Sequence, residues 1–329
     1  MRQSMTRRRG LEALLIAVPA LLAAPARVLA SAQNWPQRPV KFILPLGPGS
    51  AVDVGARLLA DRLSRLWNEP VVIENRPGAN GLNAIEAFLH ADDDHTFLCC
   101  GSGTFTVHPL QYKSLPYSPA DIVPIARISN TVVVVAVPAS LPVDSLSAWV
   151  RQAKLEPGKF DAAVVQGITE FVFDYFVKSE NLNVQKVPYR DIVQAVSDVG
   201  EGRVQMIMGA YAILQTQVQA QRIKVIAVTS QRRVQILPTV PTAAEAGFPS
   251  LQLEGLVGLF GPKRIDSALV DKIAGDVMAV AADPKIAALL ASSGQVPSPG
   301  GPAEFAAAVA EQRARIAEIA QALGVKPTQ

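Results

Sequence analysis

Two cysteines and three histidines in 329 residues leave little room for several kinds of chemistry. The cysteines are adjacent, Cys99 and Cys100. Neighbours along a strand point to opposite faces, so a bond between them would be strained; buried free thiols are expected and no disulfide framework holds the fold. His90 and His95 flank Asp92, Asp93 and Asp94, a metal-like composition. No Cys/His spacing of a structural zinc site accompanies them, and three consecutive Asp suit a solvated turn. The third, His108, precedes Pro109 in a loop. No Gly-x-Ser-x-Gly elbow and no Ser-x-x-Lys occurs, and Gly158-Lys159 lacks the glycine pattern and Ser/Thr of a phosphate-binding loop. Without a matched nucleophile and base, an enzyme is not expected. There is no internal repeat, low-complexity tract or flexible linker, and beyond residue 32 no apolar run long enough to span a membrane; Val132–Val137 has only the length of a strand. Basic excess is missing too. The formal charge is +3, but Arg2, Arg7, Arg8, Arg9 and Arg27, against the single Glu12, lie in the first 32 residues, so the remainder carries −1. Nothing there supports a nucleic-acid partner.

What is present begins with a leader. The arginines make a basic n-region, Leu11–Ala24 is mostly apolar, and Val28-Leu29-Ala30 and Ala30-Ser31-Ala32 are small-residue cleavage patterns. That combination reads as a secretory signal peptide over residues 1–32, cleaved after Ala30 or Ala32, and places the mature protein in the periplasm. About 300 residues remain, enough for one large or two medium domains. They alternate apolar, β-rich runs with helical patterns throughout, which argues a doubly wound α/β protein. If there are two lobes, strands must cross between them.

The chain is organised around residues 40–57. A strand, Val40–Leu44, runs into the turn Pro45–Gly49. A Ser50-x-x-Asp53 capping box then opens a helix with apolar positions at Val52, Ala56, Leu59, Leu63 and Leu66. A glycine turn at a helix N-terminus presents backbone N–H groups and a favourable dipole, so it is an anion cradle; an ordinary capped turn fits the same residues. Val187-Pro188-Tyr189-Arg190 ends another strand. In an open α/β sheet ligands bind beyond the carboxyl ends of strands, so Tyr189 is either a cleft wall or a surface tyrosine at a helix start.

These pieces, in this order, resemble the substrate-binding proteins of tripartite tricarboxylate transporters, the Bug family of extracytoplasmic receptors. The resemblance runs from Trp35-Pro36-x-x-Pro39-Val40 through Pro45–Arg57 and Glu74-Asn75-Arg76-Pro77-Gly78-Ala79-x-Gly81 to Val187-Pro188-Tyr189. It continues in Ala227-Val228-Thr229-Ser230-x-Arg232, Pro238-x-Val240-Pro241-Thr242-x-x-Glu245-Ala246-Gly247 and Gly258-Leu259-Phe260-x-Pro262. It implies a two-lobed periplasmic binding protein of type II-like form, with a ligand cleft between two doubly wound α/β domains. Residues 36–131 and 256–329 would form the first, and 132–255 the second. It implies a small carboxylate ligand, no cofactor, a pair of membrane permease subunits as partner and a monomeric receptor. The candidate ligand-binding set is Leu46, Gly49, Ser50, Ala51, Asp53, Ser102, Gly167, Thr169, Tyr189 and Gln205. Within it Gly49, Ser50 and Ala51 would present backbone N–H groups, Asp53 would stiffen their loop, and Gly167 and Thr169 would face them.

Four positions depart from the family's pattern. Ser50 replaces the second of two glycines, Asp191 replaces a glycine and Gln205 stands where an Asp is common. Glu170 follows a second loop, Val165–Phe171, that lacks the usual His. Glu170 would set negative charge near the anion unless its side chain turns away. A less anionic or aromatic ligand is the alternative, and Ile168 and Phe171 would suit it. A receptor of the same build that reports to a signalling partner is the alternative role.

Overall fold

The computed structural model describes residues 34–189 and 192–327. The expected leader, residues 1–32, and Asp191 lie outside them. The elements run β1 (Val40–Leu44), α1 (Ala51–Trp67), β2 (Val71–Asn75), α2 (Leu82–Ala91), β3 (Thr96–Gly101), α3 (Gly103–Thr106), α4 (His108–Gln111), β4 (Ile122–Thr131) and β5 (Val133–Pro138). There follow α5 (Leu146–Leu155), β6 (Asp161–Val165), α6 (Ile168–Ser179), β7 (Gln185–Tyr189), α7 (Ile192–Gly200), β8 (Met206–Ala210), α8 (Tyr211–Gln219) and β9 (Ile223–Val228). The chain closes with β10 (Gly255–Pro262), α9 (Ser267–Ala282), α10 (Pro284–Ser292), β11 (Gln295–Gly300) and α11 (Pro302–Leu323).

Two sheets result. One has the order β11-β4-β10-β3-β1-β2, the other β7-β6-β8-β5-β9. In the first, β1 is parallel to β2 and β3, while β10 runs antiparallel to β3 and β4. In the second, β6 is parallel to β7 and β8, and β5 is antiparallel to β8 and β9. Both faces of each sheet are covered, as a two-lobed α/β protein requires. α1 shows why: Val52, Ala56, Leu59 and Leu63 recur at helical spacing and are all buried, packing on Phe42, Phe97 and Cys99. Ile85, Phe88, Phe105, Phe260 and Phe305 fill the opposite face. In the second lobe Trp149, Val172 and Phe176 cover one face, and Val196, Val199 and Leu214 the other.

The two cysteines are buried and free, and burial pushes the Cys99 thiol up to about 12. Asp93 and Asp94 serve a local turn: Asp93 pairs with Arg38 at 2.9 Å, and the His95 ring bonds Asp94 at 2.6 Å. Among the described residues no group of three or more His, Cys, Asp and Glu is placed to hold a metal ion, and no helix is long and apolar enough to cross a membrane.

Two strands are not visible in the sequence pattern, β4 and β11. Each carries proline: Pro124 in β4, Pro297 and Pro299 in β11. β11 is an outer strand and pairs only with residues 127–131 of β4, so around Pro124 β4 is itself a sheet edge, where proline is tolerated. The last helix also goes beyond the expectation. Phe305 and Val309 pack in the first lobe, while Ile316, Ile319 and Ala320 pack in the second. α11 therefore packs into both cores.

Candidate functional site

Because β1, β2 and β3 are parallel, Leu44, Asn75 and Gly101 end at one edge of the first sheet. Val165, Tyr189 and Ala210 likewise share an edge of the second. The two edges face each other. Gly103 lies against Ile168, whose Cγ2 is 2.9 Å from where a Cβ on Gly103 would stand, so a side chain there would push Ile168 aside. A cavity of about 240 Å³ joins Leu110 and Gln111 of one lobe to Gln166, Glu170 and Phe171 of the other. Asp174, Val325 and Lys326 complete its lining, and the interlobe cleft is the space between the two strand edges.

On the first lobe the cap of α1 is built as the sequence indicates, and then goes further. Ser50 Oγ accepts from Asp53 N at 3.2 Å, and Asp53 Oδ2 accepts from Gly49 N at 2.9 Å. Asp53 is 2% exposed. It also accepts from Arg57 Nε at 3.1 Å and from Asn75 Nδ2 at 2.8 Å, and Asn75 donates in turn to Leu46 O at 2.9 Å. Burial works to raise the Asp53 pKa; the hydrogen bonds from Arg57, Gly49 and Asn75 outweigh it and hold the carboxyl below its ordinary value. Asp53 is thus the stiffening residue expected. The Gly49 N–H, however, is occupied by that carboxylate, and the Ser50 N–H turns back to Gly47 O at 3.4 Å. Neither is offered to a ligand. Among the described residues, the unpartnered N–H groups at this helix end are those of Ala51 and Val52. Gly49 is needed for its backbone, at φ +84° with open space around it. Leu46 is 41% exposed, an apolar rim beside this helix end.

The second loop of this lobe is braced from a distance. Gly78, Ala79, Asn80 and Gly81 all have positive φ, at 107°, 46°, 57° and 94°. Such a run is held only when its surroundings over-determine it. Here His108, fully buried, bonds the Asn80 carbonyl at 3.0 Å through Nε2 and the Tyr117 hydroxyl at 2.7 Å through Nδ1. Burial lowers the His108 pKa, so the ring is neutral, with Nε2–H donating to the carbonyl and Nδ1 accepting from the phenol. Asn80 Nδ2 donates to Gln111 Oε1 at 3.2 Å. Gln295 does similar work for the first loop, donating from Nε2 to Ala51 O at 2.5 Å. His108, Gln111 and Gln295 were not among the candidates, and nothing in their local sequence marks them, since each acts on a distant backbone.

On the second lobe Gly167, at φ +142°, is the N-cap of α6 and makes no side-chain cap bond. The N–H groups of Ile168 and Thr169 have no hydrogen-bond partner among the described residues. Glu170 does not stand bare: it pairs with Lys186 at 3.1 Å, and Lys186 also holds Asp174 at 2.8 Å. Burial lowers the Lys186 pKa, but Asp174 and Glu170 overcome it and hold the ammonium above its ordinary value.

Three candidates are engaged elsewhere. Ser102, at the end of β3, is fully buried and its hydroxyl donates to Gln312 of α11 at 2.6 Å, so it offers nothing to a ligand. Tyr189 turns its ring into the core under α7 and donates its hydroxyl to Asp198 at 2.6 Å; burial and then that carboxylate push the phenol up to about 12. Gln205 stands before β8, at the amino ends of β6 and β8, where it accepts from Asp161 N at 3.0 Å and donates to Gly202 O at 3.1 Å. That is the sheet edge opposite the cleft, so Gln205 cannot touch a ligand there.

Comparison with known proteins agrees with this geometry. Residues 55–325 match the model of the tripartite tricarboxylate transporter family receptor. A UPF0065 protein of Bordetella bronchiseptica is 28% identical over 320 residues, covering 97% of this chain and 95% of the relative. Protein BugT of Bordetella pertussis is 27% identical over 319 residues, covering 95% and 98%. Among solved structures, an R. palustris protein with adipate superposes with a TM-score of 0.78 at 28% identity, over 89% of this chain and 100% of the other. The periplasmic binding protein BugD gives 0.76 at 25% identity, over 89% and 100%.

Proposed function

The chain belongs to the tripartite tricarboxylate transporter family receptors, and from that premise we propose that it captures a small organic dicarboxylate between its lobes in the periplasm for delivery to a pair of membrane permease subunits. One observation carries this reading. Two helices start from the facing strand edges, α1 after β1 with the Ala51 and Val52 N–H groups unpartnered, α6 after β6 with those of Ile168 and Thr169. Each end carries partial positive charge and two aligned donors, which suits one carboxylate each. A linear diacid spans the gap with one head on each lobe, and the lobes close on it by hinge motion. Lys186 keeps Glu170 from opposing the second head. The R. palustris relative solved with adipate supports a diacid of this kind. We assign the lobes to residues 36–131 with 256–329 and to residues 132–255, with α11 bridging them, and take residues 1–32 as a cleaved export signal on a monomer.

The test is a thermal-shift screen of the chain lacking residues 1–32 against adipate, malate, monocarboxylates, aromatic acids and neutral metabolites. A ligand at about 100 times its dissociation constant adds roughly 2.7 kcal/mol, an increase of about 4 °C for a chain of this length. A diacid is expected to give that shift, and Gly49→Val to abolish it by forcing a branched residue to φ +84°. Shifts confined to neutral compounds, or a diacid shift that survives Gly49→Val, would overturn the reading.

A further inference from the structure

The largest cavity described is not the cleft. About 750 Å³ lies behind the strands that cross between the lobes, lined by the crossing segments 130–132 and 252–254, the loop 230–236, the edge strand β11 and one side of α11. The ligand-facing strand ends belong to β1, β2 and β3, and in the sheet order β11, β4 and β10 lie on the other side of them. Groove and cleft are therefore lined by different strand ends, and Gln295, at the groove's edge, reaches through to Ala51 O. The volume is that of a small-molecule site rather than of a surface dimple.

Its lining is charged. Four arginines and two glutamates line it. Arg127 is neutralised by Glu304 and Arg233 by Glu245. Glu254 is saturated by the Gln231 N–H at 2.8 Å and Asn130 Nδ2 at 2.7 Å. Two cations make no direct ion pair among the described residues, although Glu311 and Glu318 act on Arg315 from its own helix. Arg232 makes no ion pair, and the Arg315 guanidinium bonds only the carbonyls of Pro249 at 3.2 Å and Ser250 at 3.3 Å. Glu254, bonded only by neutral donors, and Glu311, exposed at the rim, are the acids of the lining that make no direct ion pair. Between these charges lie Val234, Leu253, Val296 and Ile316. Asn130 Oδ1 is buried there with no hydrogen-bond partner. An orphaned buried acceptor calls for a donor, which an occupant's hydroxyl would supply.

We propose that this hinge-side groove is a second binding site, for a small organic anion with an apolar body, separate from the interlobe cleft. The anionic head pairs with Arg232 and Arg315, and the body lies on the apolar floor. A peptide strand is a poor occupant, because the edge it would extend carries Pro297 and Pro299 and lacks their N–H groups. The walls are set in advance: Gln312 accepts from Ser102 at 2.6 Å and donates to Glu254 O at 2.9 Å, which fixes α11 against the crossing segment.

Anilinonaphthalene sulfonate has the required head and body and reports binding by its fluorescence. It is expected to bind the protein saturably, with one probe per chain. Arg232→Glu and, independently, Val296→Asp on the exposed edge should each weaken binding about tenfold or more, at unchanged melting temperature. Gly49→Val in the front cleft should leave probe affinity unaltered. No saturable binding by the wild type, unchanged affinity in both groove variants, or loss of binding in Gly49→Val would overturn the proposal.

Discussion

Replacing Asp53 by Asn changes one atom and one charge, and the structure says which bonds it breaks. The carboxylate accepts on both oxygens: Oδ2 from Gly49 N and Arg57 Nε, Oδ1 from Asn75 Nδ2 and the other arm of Arg57. An amide keeps one acceptor. Whichever way it turns, its NH2 meets two donors, and Asn75 cannot flip without losing Leu46 O and its own bond from Arg57. Each lost charge-assisted bond is worth roughly 1.5–3 kcal/mol. Arg57 is half exposed, so water recovers much of its share. The net cost should be about 2–4 kcal/mol, or about 5 °C at the middle of that range. The pH dependence supplies an independent check. The Asp53 pKa is depressed when folded, so its contribution is full above the ordinary value of 3.8 and is lost as pH falls through the folded value. Urea unfolding of both proteins from about pH 6 to about pH 2 should therefore show their difference shrinking towards acid. Ligand affinity should fall as well, because the loop before α1 loses its anchor at Gly49. A variant within about 0.5 kcal/mol of wild type, or a difference flat across that range, would refute the account.

Gly81→Ala sets a methyl group into Thr104 and needs φ +94°; an unfolding free energy lower by about 1–3 kcal/mol is expected, with weaker ligand binding by calorimetry. Tyr189→Phe removes only the bond to Asp198, so stability should drop by about 1 kcal/mol while the ligand dissociation constant stays within about twofold; a larger loss of affinity would return Tyr189 to the cleft. Lys186→Met leaves Glu170 and Asp174 unpaired beside α6 and should weaken a dianion several-fold more than a neutral ligand, measured by competition.

The sequence carries much of this architecture because local signals agree with the tertiary demand. The limits of α1, α9 and α11 follow from capping residues and apolar spacing that the packing then uses. The strands β4 and β11 escape because proline reads as a strand breaker, and only the sheet order shows where it is tolerated. At the site, the Ser50–Asp53 cap is legible, since its partners are three residues apart. The placement of Ser102, Tyr189 and Gln205 is not, since it depends on Gln312, Asp198 and Asp161, brought in by packing. The bracing of Asn80 by His108 and the cover that Lys186 gives Glu170 are invisible for the same reason.

The path of the chain through the two sheets also sets the order in which the molecule can be completed. Strands β5 to β9 are contiguous in sequence, so the second sheet can assemble as soon as residue 228 is present. The first sheet begins with β1 yet seats β10 between β3 and β4, so the lobe that starts the chain must wait for residues past 255. Neither core closes until α11 supplies Phe305 to one and Ile316 to the other. The last 28 residues are thus a latch on the whole assembly. A chain cut before residue 302 should hold paired strands with incomplete cores and remain a target for proteolysis long after synthesis has passed both sheets.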